Sequence, residues 1–517
     1  MEFLLPWLAA LGPAILLATS LVPAATADRD PGRMRRVATG GALIGGGVGI
    51  LAAVTMLWTG RALPGALIHL DAVSATMLLL VGGIGAVVVD YSRRYLDGDP
   101  HQGRFMKWIA LTLGAVLVLV VAGNLILLAL AWIGTGLGLQ KLLLFYGERK
   151  AAQVAARKNL LTSRVADAGV LLAVLVIWAS LGELSIAGIQ HAARDAAAAG
   201  TIGWGVHLAA VLLAVAALIK SAQFPFHVWL PEVMETPTPV SALLHAGIIN
   251  AGGFLLVRLA DVVAVSAGAL DLLLMLGAFT AMLGAAVMLT QTSVKVNLAW
   301  STVAQMGFMM MQVGLGAFAA ALLHIFAHGL YKAHAFLSAG SVVADRRPEK
   351  LPPLPFRVLL PALAGAVGLV LLVGWALGMP ASTDPGPAVL GAVLVMALVP
   401  TLATGAAARD NRAFLLRALG VAGLVAVLYF GLQLAAAALM AAALPPAVTE
   451  RTALAPALSI LAVLSFAALL VLNVARRAPV PGRVVEALYV HLVNGLYVNA
   501  AANRLLSRFK PAAKGSN

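Results

Sequence analysis

The 517-residue chain is 61% hydrophobic and only 11% charged, with a mean hydropathy of +0.96, whereas soluble domains carry roughly a quarter charged residues. A soluble fold could not solvate such a surface. The net charge of +14 does not mark a nucleic-acid binder either, because the cations gather at alternate ends of apolar stretches, the positive-inside pattern of membrane proteins. Without a cysteine the chain has no disulfide and no thiolate metal site.

A bilayer core takes about 20 apolar residues per helix. The pattern predicts an all-α polytopic membrane protein with about fifteen transmembrane helices, some of them broken. The expected spans are 3–22, 37–59, 72–91, 107–123, 124–146, 165–183, 204–221, 239–260, 266–290, 295–313, 316–343, 357–379, 386–407, 413–443 and 456–475. The first thirty residues could be taken for a signal peptide, but Met1-Glu2-Phe3 lacks a basic start, so they read as the first span. Basic residues crowd the loops after the first span (Arg29, Arg33, Arg35, Arg36), the third (Arg93, Arg94, Arg104) and the fifth (Arg149, Lys150, Arg157, Lys158). They recur after the eleventh (Arg346, Arg347, Lys350), thirteenth (Arg409, Arg412) and fifteenth (Arg476, Arg477, Arg483). These loops are expected on the cytoplasmic side of a bacterial inner membrane, with the N-terminus outside and the C-terminus inside.

The polar inserts 92–106, 147–164 and 184–203 are too short for a packed core. The organisation expected is therefore one membrane domain: N-terminal helices over 1–106, a functional core over 107–345, C-terminal helices over 346–475 and a tail over 476–517. Within that tail, 483–509 mixes apolar, aromatic and basic residues at helical spacing and is expected to lie as an interfacial amphipathic helix.

Ionisable groups inside spans are costly and mark function. In chain order, Arg164 and Asp167 open the sixth span, as a local pair or as a counter-charge for Lys220. Lys220 follows an unbroken apolar run. It is expected to gain and lose a proton as a relay group, the bland alternative being a lysine snorkelling to the interface. Directly after it, Ser221-Ala222-Gln223-Phe224-Pro225-Phe226-His227-Val228-Trp229-Leu230-Pro231 must break the helix at its prolines. Glu232 and Glu235 add carboxylates near this break, which could line a cavity. A second break, Thr236-Pro237-Thr238-Pro239-Val240-Ser241, leads into a helix with His245 and Asn250. His245 is a relay candidate because imidazole titrates near neutrality, and Arg258 at the end of that span is expected to snorkel. Lys295 enters the tenth span and Gln305 sits inside it. On 316–343, His324, His328 and Lys332 recur at intervals of four and share one face, a pattern that suggests a wire, while His334 lies on another side. Two histidines at that spacing could bind zinc, but the helix offers no third ligand, so no metal site is expected here.

Residues Lys220 to Gln223, Trp229 to Pro231 and Thr236 to His245, then Leu298-Ala299-Trp300-Ser301-Thr302 through Gly307, and finally His324, His328 and Lys332, resemble the proton-channel subunits of respiratory complex I and the Mrp antiporters over roughly 65–345. In that family the broken-helix lysine, the next helix's histidine and the His/His/Lys helix form a hydrated central axis. The resemblance thus implies a proton or cation relay of Lys220, His245, Lys295, His324, His328 and Lys332, supported by Arg164, Asp167, His227, Glu232, Glu235, Asn250, Gln305 and His334. Two departures are visible. The family's Trp-Glu-Gly, whose glutamate pairs with the broken-helix lysine, reads Trp132-Ile133-Gly134 here, and 357–379 and 386–407 lack the outer lysine or glutamate. With these departures the chain looks like the membrane subunits of two-component DAB inorganic-carbon pumps. That likeness implies a non-enzymatic, cation-conducting subunit and a DabA-like large cytoplasmic zinc protein, carrying the CO2 hydration chemistry, as partner. A subunit of a complex I-like oxidoreductase or Mrp-type antiporter, and a non-conducting scaffold, are the alternatives.

Overall fold

The computed structural model describes residues 5–59, 62–63, 65–341, 354–407, 412–445, 448, 451–475 and 483–508. The expected cations Arg346, Arg347, Lys350, Arg409, Arg476 and Arg477 lie outside the described residues, as does the basic end of the tail. The described chain is helical. It starts with α1 (Leu5–Leu21), a short α2 (Ala24–Arg29), α3 (Pro31–Thr59), α4 (Ala72–Tyr95), α5 (Gln102–Val121), α6 (Leu125–Leu143) and α7 (Lys150–Leu181). After the surface helix α8 (Ile186–Ala198) come α9 (Trp204–Lys220), a 3-10 segment (Phe226–Glu235), α10 (Thr238–Ala246), α11 (Ala251–Arg258) and α12 (Ala260–Ala264). Then follow α13 (Ala267–Met288), α14 (Val294–Gly314), α15 (Phe318–Leu337), α16 (Phe356–Ala376), α17 (Pro385–Ala407), α18 (Arg412–Met440) and α19 (Ala455–Ala475). The tail holds α20 (Arg483–Val493) and α21 (Val498–Arg508).

Among the described residues eleven helices are long and apolar enough to cross a membrane, counting Thr238–Arg258 as one, and Trp7–Leu21 and Trp204–Lys220 are shorter apolar helices. α14 and α15 match them in length but carry ionisable side chains. These helices coincide with the expected spans to within a few residues, except at α7. That helix runs through the insert expected over 147–164, and its 32 residues reach about 48 Å at 1.5 Å per residue, against about 30 Å of hydrocarbon. Its first turns therefore stand clear of the spans. They share one end of the bundle, the basic face, with the α4–α5 turn and with the segment that follows α9.

Helices pack closely where glycine leaves no Cβ. A Cβ at Gly314 would lie 2.3 Å from the Leu274 amide nitrogen, and one at Gly277 2.5 Å from that of Met311, so α13 and α14 touch backbone to backbone, as small residues allow in lipid. A large core joins α4–α6, α9–α11 and α13–α15, and a separate, smaller one joins α16–α18.

The face opposite the basic one is tied by charge. Arg258, 1% exposed, does not snorkel: its Nη1 and Nη2 donate to Asp71 Oδ2 and Oδ1 at 2.6 and 3.1 Å, and His69 Nε2 lies 3.3 Å from Oδ2. The reason is that α11 ends beneath other elements, where a guanidinium needs a carboxylate rather than water. Asp71 also caps α4, accepting from the Ser74 amide at 2.8 Å. Burial works against the Asp71 charge, but the Arg258 guanidinium and the His69 ring outweigh it and hold the carboxyl below the usual carboxylate range. The stabilisation therefore persists at neutral and mildly acid pH and is lost only as pH falls through that lowered value. On the same face Arg194 of α8 grips Asp261 of α12 at 2.6 Å, Arg451 donates to the Gly314 carbonyl at 2.7 Å, and the Thr452 hydroxyl donates to Asp271.

The tail differs from the single amphipathic helix expected. Gly495, Leu496 and Tyr497 all have positive φ, 55°, 52° and 62°, and this elbow separates α20 from α21. The sequence carries a stop signal here, Asn494-Gly495, which the apolar periodicity of 483–509 masks, and packing fixes the turn: a Cβ on Gly495 would sit 3.2 Å from the Trp300 ring.

Asp71→Asn keeps a capping oxygen for α4 but leaves Arg258 buried without its counter-charge. Breaking a buried pair costs about 3–5 kcal/mol, so thermal unfolding of the detergent-solubilised variant at neutral pH should fall clearly below wild type.

Candidate functional site

The site is built on two interrupted passes. α9 stops at Lys220 because Pro225 and Pro231 follow, and backbone freed inside a membrane protein must find partners. It does: the Ser221 hydroxyl donates to the Ile249 carbonyl at 3.0 Å, Gln223 Nε2 to the Ser221 carbonyl at 2.7 Å, and the Phe224 amide to Thr280 Oγ1 of α13 at 3.2 Å. Ala222 takes up a left-handed φ of 51°, unusual for a residue with a side chain. The second pass is interrupted within the span, at Gly247 and a 3-10 turn over Ile248–Asn250, as well as starting at the expected Thr236–Ser241 break. Asn250 bridges this gap by donating to the Ala246 carbonyl at 2.8 Å. Gly252 lets the two interruptions meet, since a Cβ there would come within 2.4 Å of Ser221 Oγ.

Lys220 is buried and does not reach an interface. Its ammonium lies 4.8 Å from the Trp132 ring centroid and has no protein hydrogen-bond partner. Beside it, Arg164 and Asp167 of α7 form an ion pair at 2.9 Å, and both charges act on Lys220. Of the two readings, the local pair is the one formed; Lys220 itself makes no ion pair among the described residues. Gly136 of α6 makes the room, because a Cβ there would lie 3.5 Å from Lys220 Nζ and 3.6 Å from Arg164 Nη2.

The second cluster joins α10, α14 and α15. His245, fully buried, shares a 2.9 Å hydrogen bond between Nδ1 and Thr302 Oγ1 and stacks on Phe336 with centroids 4.4 Å apart. The Thr302 hydroxyl donates to the Leu298 carbonyl at 3.0 Å. Its oxygen therefore accepts from His245, which assigns the proton to Nδ1 and leaves Nε2, unpartnered in the protein, as the free ring nitrogen. Lys332 Nζ, also fully buried, donates to that same Leu298 carbonyl at 3.0 Å and to Ser301 Oγ at 2.8 Å. One carbonyl thus links the histidine of α10 to the lysine of α15. The rings of His328 and His324 lie 5.9 Å apart along α15, with Phe308 5.4 Å from His324, and His328 Nε2 is buried without a protein partner.

Other expected residues fall elsewhere. His227 is buried, 5.9 Å from the Phe224 ring and 5.2 Å from the Trp300 ring. Glu232 and Glu235 are ties at the basic-face mouth rather than axial groups: Glu232 accepts from Lys158 Nζ at 2.7 Å and from Asn499 Nδ2 at 2.7 Å, and Glu235 pairs with Arg149 at 3.3 Å. Lys295 is half-buried in the first turn of α14, and His334 is exposed. Gln305 is exposed instead of lining the cluster, because it is rotated about 60° from Thr302 around α14 and so leaves the contact with α10. Among the described residues no group of three or more His, Asp or Glu gathers as a metal site. Sequence reasoning missed Trp132, Thr302 and Ser301, which carry no charge, and Lys158, counted as a loop cation.

Comparison with known proteins follows this geometry. Residues 122–383 match the family model described as NADH:quinone oxidoreductase/Mrp antiporter, TM, and 66–106 match that of NADH-ubiquinone oxidoreductase (complex I), chain 5 N-terminus. A relative from Halothiobacillus neapolitanus, named a probable inorganic carbon transporter subunit, DabB2, is 38% identical over 455 residues, 87% of this chain and 81% of its own length. The DabB of Hydrogenovibrio crunogenus is 41% identical over 328 residues, 62% of each chain. In fold, the chain resembles a solved Mrp complex from Dietzia sp. with a TM-score of 0.63 and 23% identity, covering 98% of this chain and 60% of that one.

Gly136→Ala, whose methyl group meets only ordinary contacts, should preserve transport, whereas Gly136→Leu should displace the Lys220 ammonium and abolish it. Thr302→Val, similar in shape, leaves His245 Nδ1–H without its acceptor. Transport should then slow by about tenfold, the scale of one lost hydrogen bond, with unchanged yield of folded protein.

Proposed function

Because the chain belongs to the NADH:quinone oxidoreductase/Mrp antiporter family of membrane subunits, with DabB inorganic-carbon transporter subunits as its relatives, we infer that it conducts protons to energise inorganic-carbon uptake. The hydrogen-bonded link from His245 through Thr302 and the Leu298 carbonyl to Lys332 carries this reading. Groups that exchange protons are joined there across three helices, at a depth where an idle ionisable residue is costly. His328 and His324 extend the row toward the opposite face, and Lys220 with Asp167 supplies the entry at the break. The seam offers imidazole and amine nitrogens, which bind a proton, in place of the cage of oxygens that a hard cation such as sodium needs. Support for an inorganic-carbon role comes from the names of the relatives and from Ile133, which removes the complex I-type glutamate. In this reading the CO2 hydration chemistry belongs to a DabA-like cytoplasmic subunit with a carbonic-anhydrase-like zinc site, and this chain spans a bacterial inner membrane with its basic face inward.

Lys220→Ala and Lys332→Ala should each leave the complex assembled and remove bicarbonate accumulation, measured as uptake of labelled inorganic carbon, together with proton flux in proteoliposomes. Full uptake by both variants would sink the relay. Copurification with hydrophobic quinone-reductase or antiporter subunits, in place of one large zinc protein, would move the chain to the respiratory or Mrp reading.

A further inference from the structure

The row of buried nitrogens ends at His324, and apolar side chains continue its line toward the face opposite the basic one. On α15 the stripe that carries His324 reaches Ala320 one turn nearer that face. Phe308 of α14, 5.4 Å from His324, stands 5.7 Å from Phe466 of α19, and Met311 and Leu315 follow it along the same stripe of α14. Ala320, Met311 and Leu315 pack with Leu274 of α13 and Ala462 of α19 in a small core of their own, separate from the large one. From Phe308 to Leu315 it fills about 10 Å of helix length. Next to Met311, Gln312 is buried with its Oε1 lacking a protein hydrogen-bond partner.

Asp271 closes the far end of this core. It lies three residues before Leu274 and so heads the same stripe of α13, level with the end of α14, where Gly314 meets Leu274. Its side chain is only 9% exposed. The Thr452 hydroxyl donates to Oδ2, while Oδ1 is enclosed and has no protein hydrogen-bond partner. The Arg451 guanidinium, instead of pairing with Asp271, donates to the Gly314 and Leu315 carbonyls at 2.7 and 2.5 Å. Gly316, at φ 76°, leaves it room, since a Cβ there would lie 3.1 Å from Arg451 Nη2. The other buried carboxylates of this face are gripped by arginine, Asp71 by Arg258 and Asp261 by Arg194.

A carboxylate locked to a guanidinium holds the fold. One tied by a neutral hydroxyl, with its second oxygen enclosed and free, can take up a proton and give it back. We propose that Asp271 is the terminus of the proton row on the face opposite the basic one, and that the apolar core between it and His324 is a gate that conducts when water enters it. Gln312 Oε1 offers such water an anchor. In each passage the protonated His324 ring gives its proton to that water, which passes one to Asp271 Oδ1. The new O–H bond then breaks toward water at the face, restoring the carboxylate, and the steps reverse for flow the other way. This rests on the relay reading above and supplies that row with a far end, which α16 and α17 do not, Arg357 being their single ionisable side chain.

Asp271→Asn keeps an acceptor for Thr452 but takes up no proton. In the reconstituted complex it should melt like wild type while proton flux in proteoliposomes falls about a hundredfold, the weight of one positioned proton-transfer group; Asp271→Glu should keep most of the flux. Wild-type flux in the asparagine variant overturns the proposal. So does equal loss in the glutamate variant, which makes Asp271 a tie between α13 and α19 and nothing more. If Asp271→Asn is made poorly, Leu274→Asn replaces it: a polar side chain in the gate should draw water in and raise the passive proton leak severalfold without inorganic carbon, and an unchanged leak overturns the gate. Lys332→Ala is measured alongside. Its inactivity together with a fully active Asp271→Asn rejects the terminus alone, whereas full activity of Lys332→Ala rejects the relay on which the terminus rests.

Discussion

A hydrogen-bonding backbone has no water to fall back on inside a membrane, and this constraint governs the centre of the molecule. Once prolines end α9 at Lys220, each freed amide and carbonyl must be met by another part of the chain. Ser221, Gln223, Thr280 and Asn250 meet them, and in doing so they bind the two interrupted passes to each other and to α13. The break is thus a fixed structure rather than a gap, and a lysine placed at its edge is held in position without an interface to escape to.

The same logic of compensation explains how the charges are arranged. Arg258 and Asp71 satisfy one another on the face opposite the break, and Lys158 and Glu232 do so on the basic face. Between these tied ends the Nε2 atoms of His245 and His328, and the ammonium of Lys220, keep positions with no protein hydrogen-bond partner. Charges that hold the fold are paired and bonded. Groups suited to exchanging protons are left with free valence, and they lie where two interrupted helices and α15 converge. Ile133 offers Lys220 no carboxylate; the acidic side chain on that side of it is Asp167 of α7, held in an ion pair by Arg164.

α16 and α17 carry a single ionisable side chain, Arg357 at the start of α16, which gives this part of the molecule a different character from α9–α15. Its separate apolar core packs without polar members among its buried residues. The tail, by contrast, leaves the spans and returns to them, bringing Asn499 within hydrogen-bond reach of Glu232.

By itself the sequence determined the spans, their number, the helix break after Lys220 and the stripe of His324, His328 and Lys332. Each of these follows from local rules: about 20 apolar residues per pass, proline's missing donor and the helical repeat. Only the tertiary structure decided which groups meet. Asp167 beside Lys220, one carbonyl shared by Thr302 and Lys332, Arg258 turned inward to Asp71, Gln305 turned outward and Asn499 on Glu232 all depend on how helices distant in sequence are rotated and set against each other. The insert expected over 147–164 became helix for a related reason: buried contacts such as that of Lys158 with Glu232 hold those turns in place, and hydropathy along the chain carries no record of such a partner.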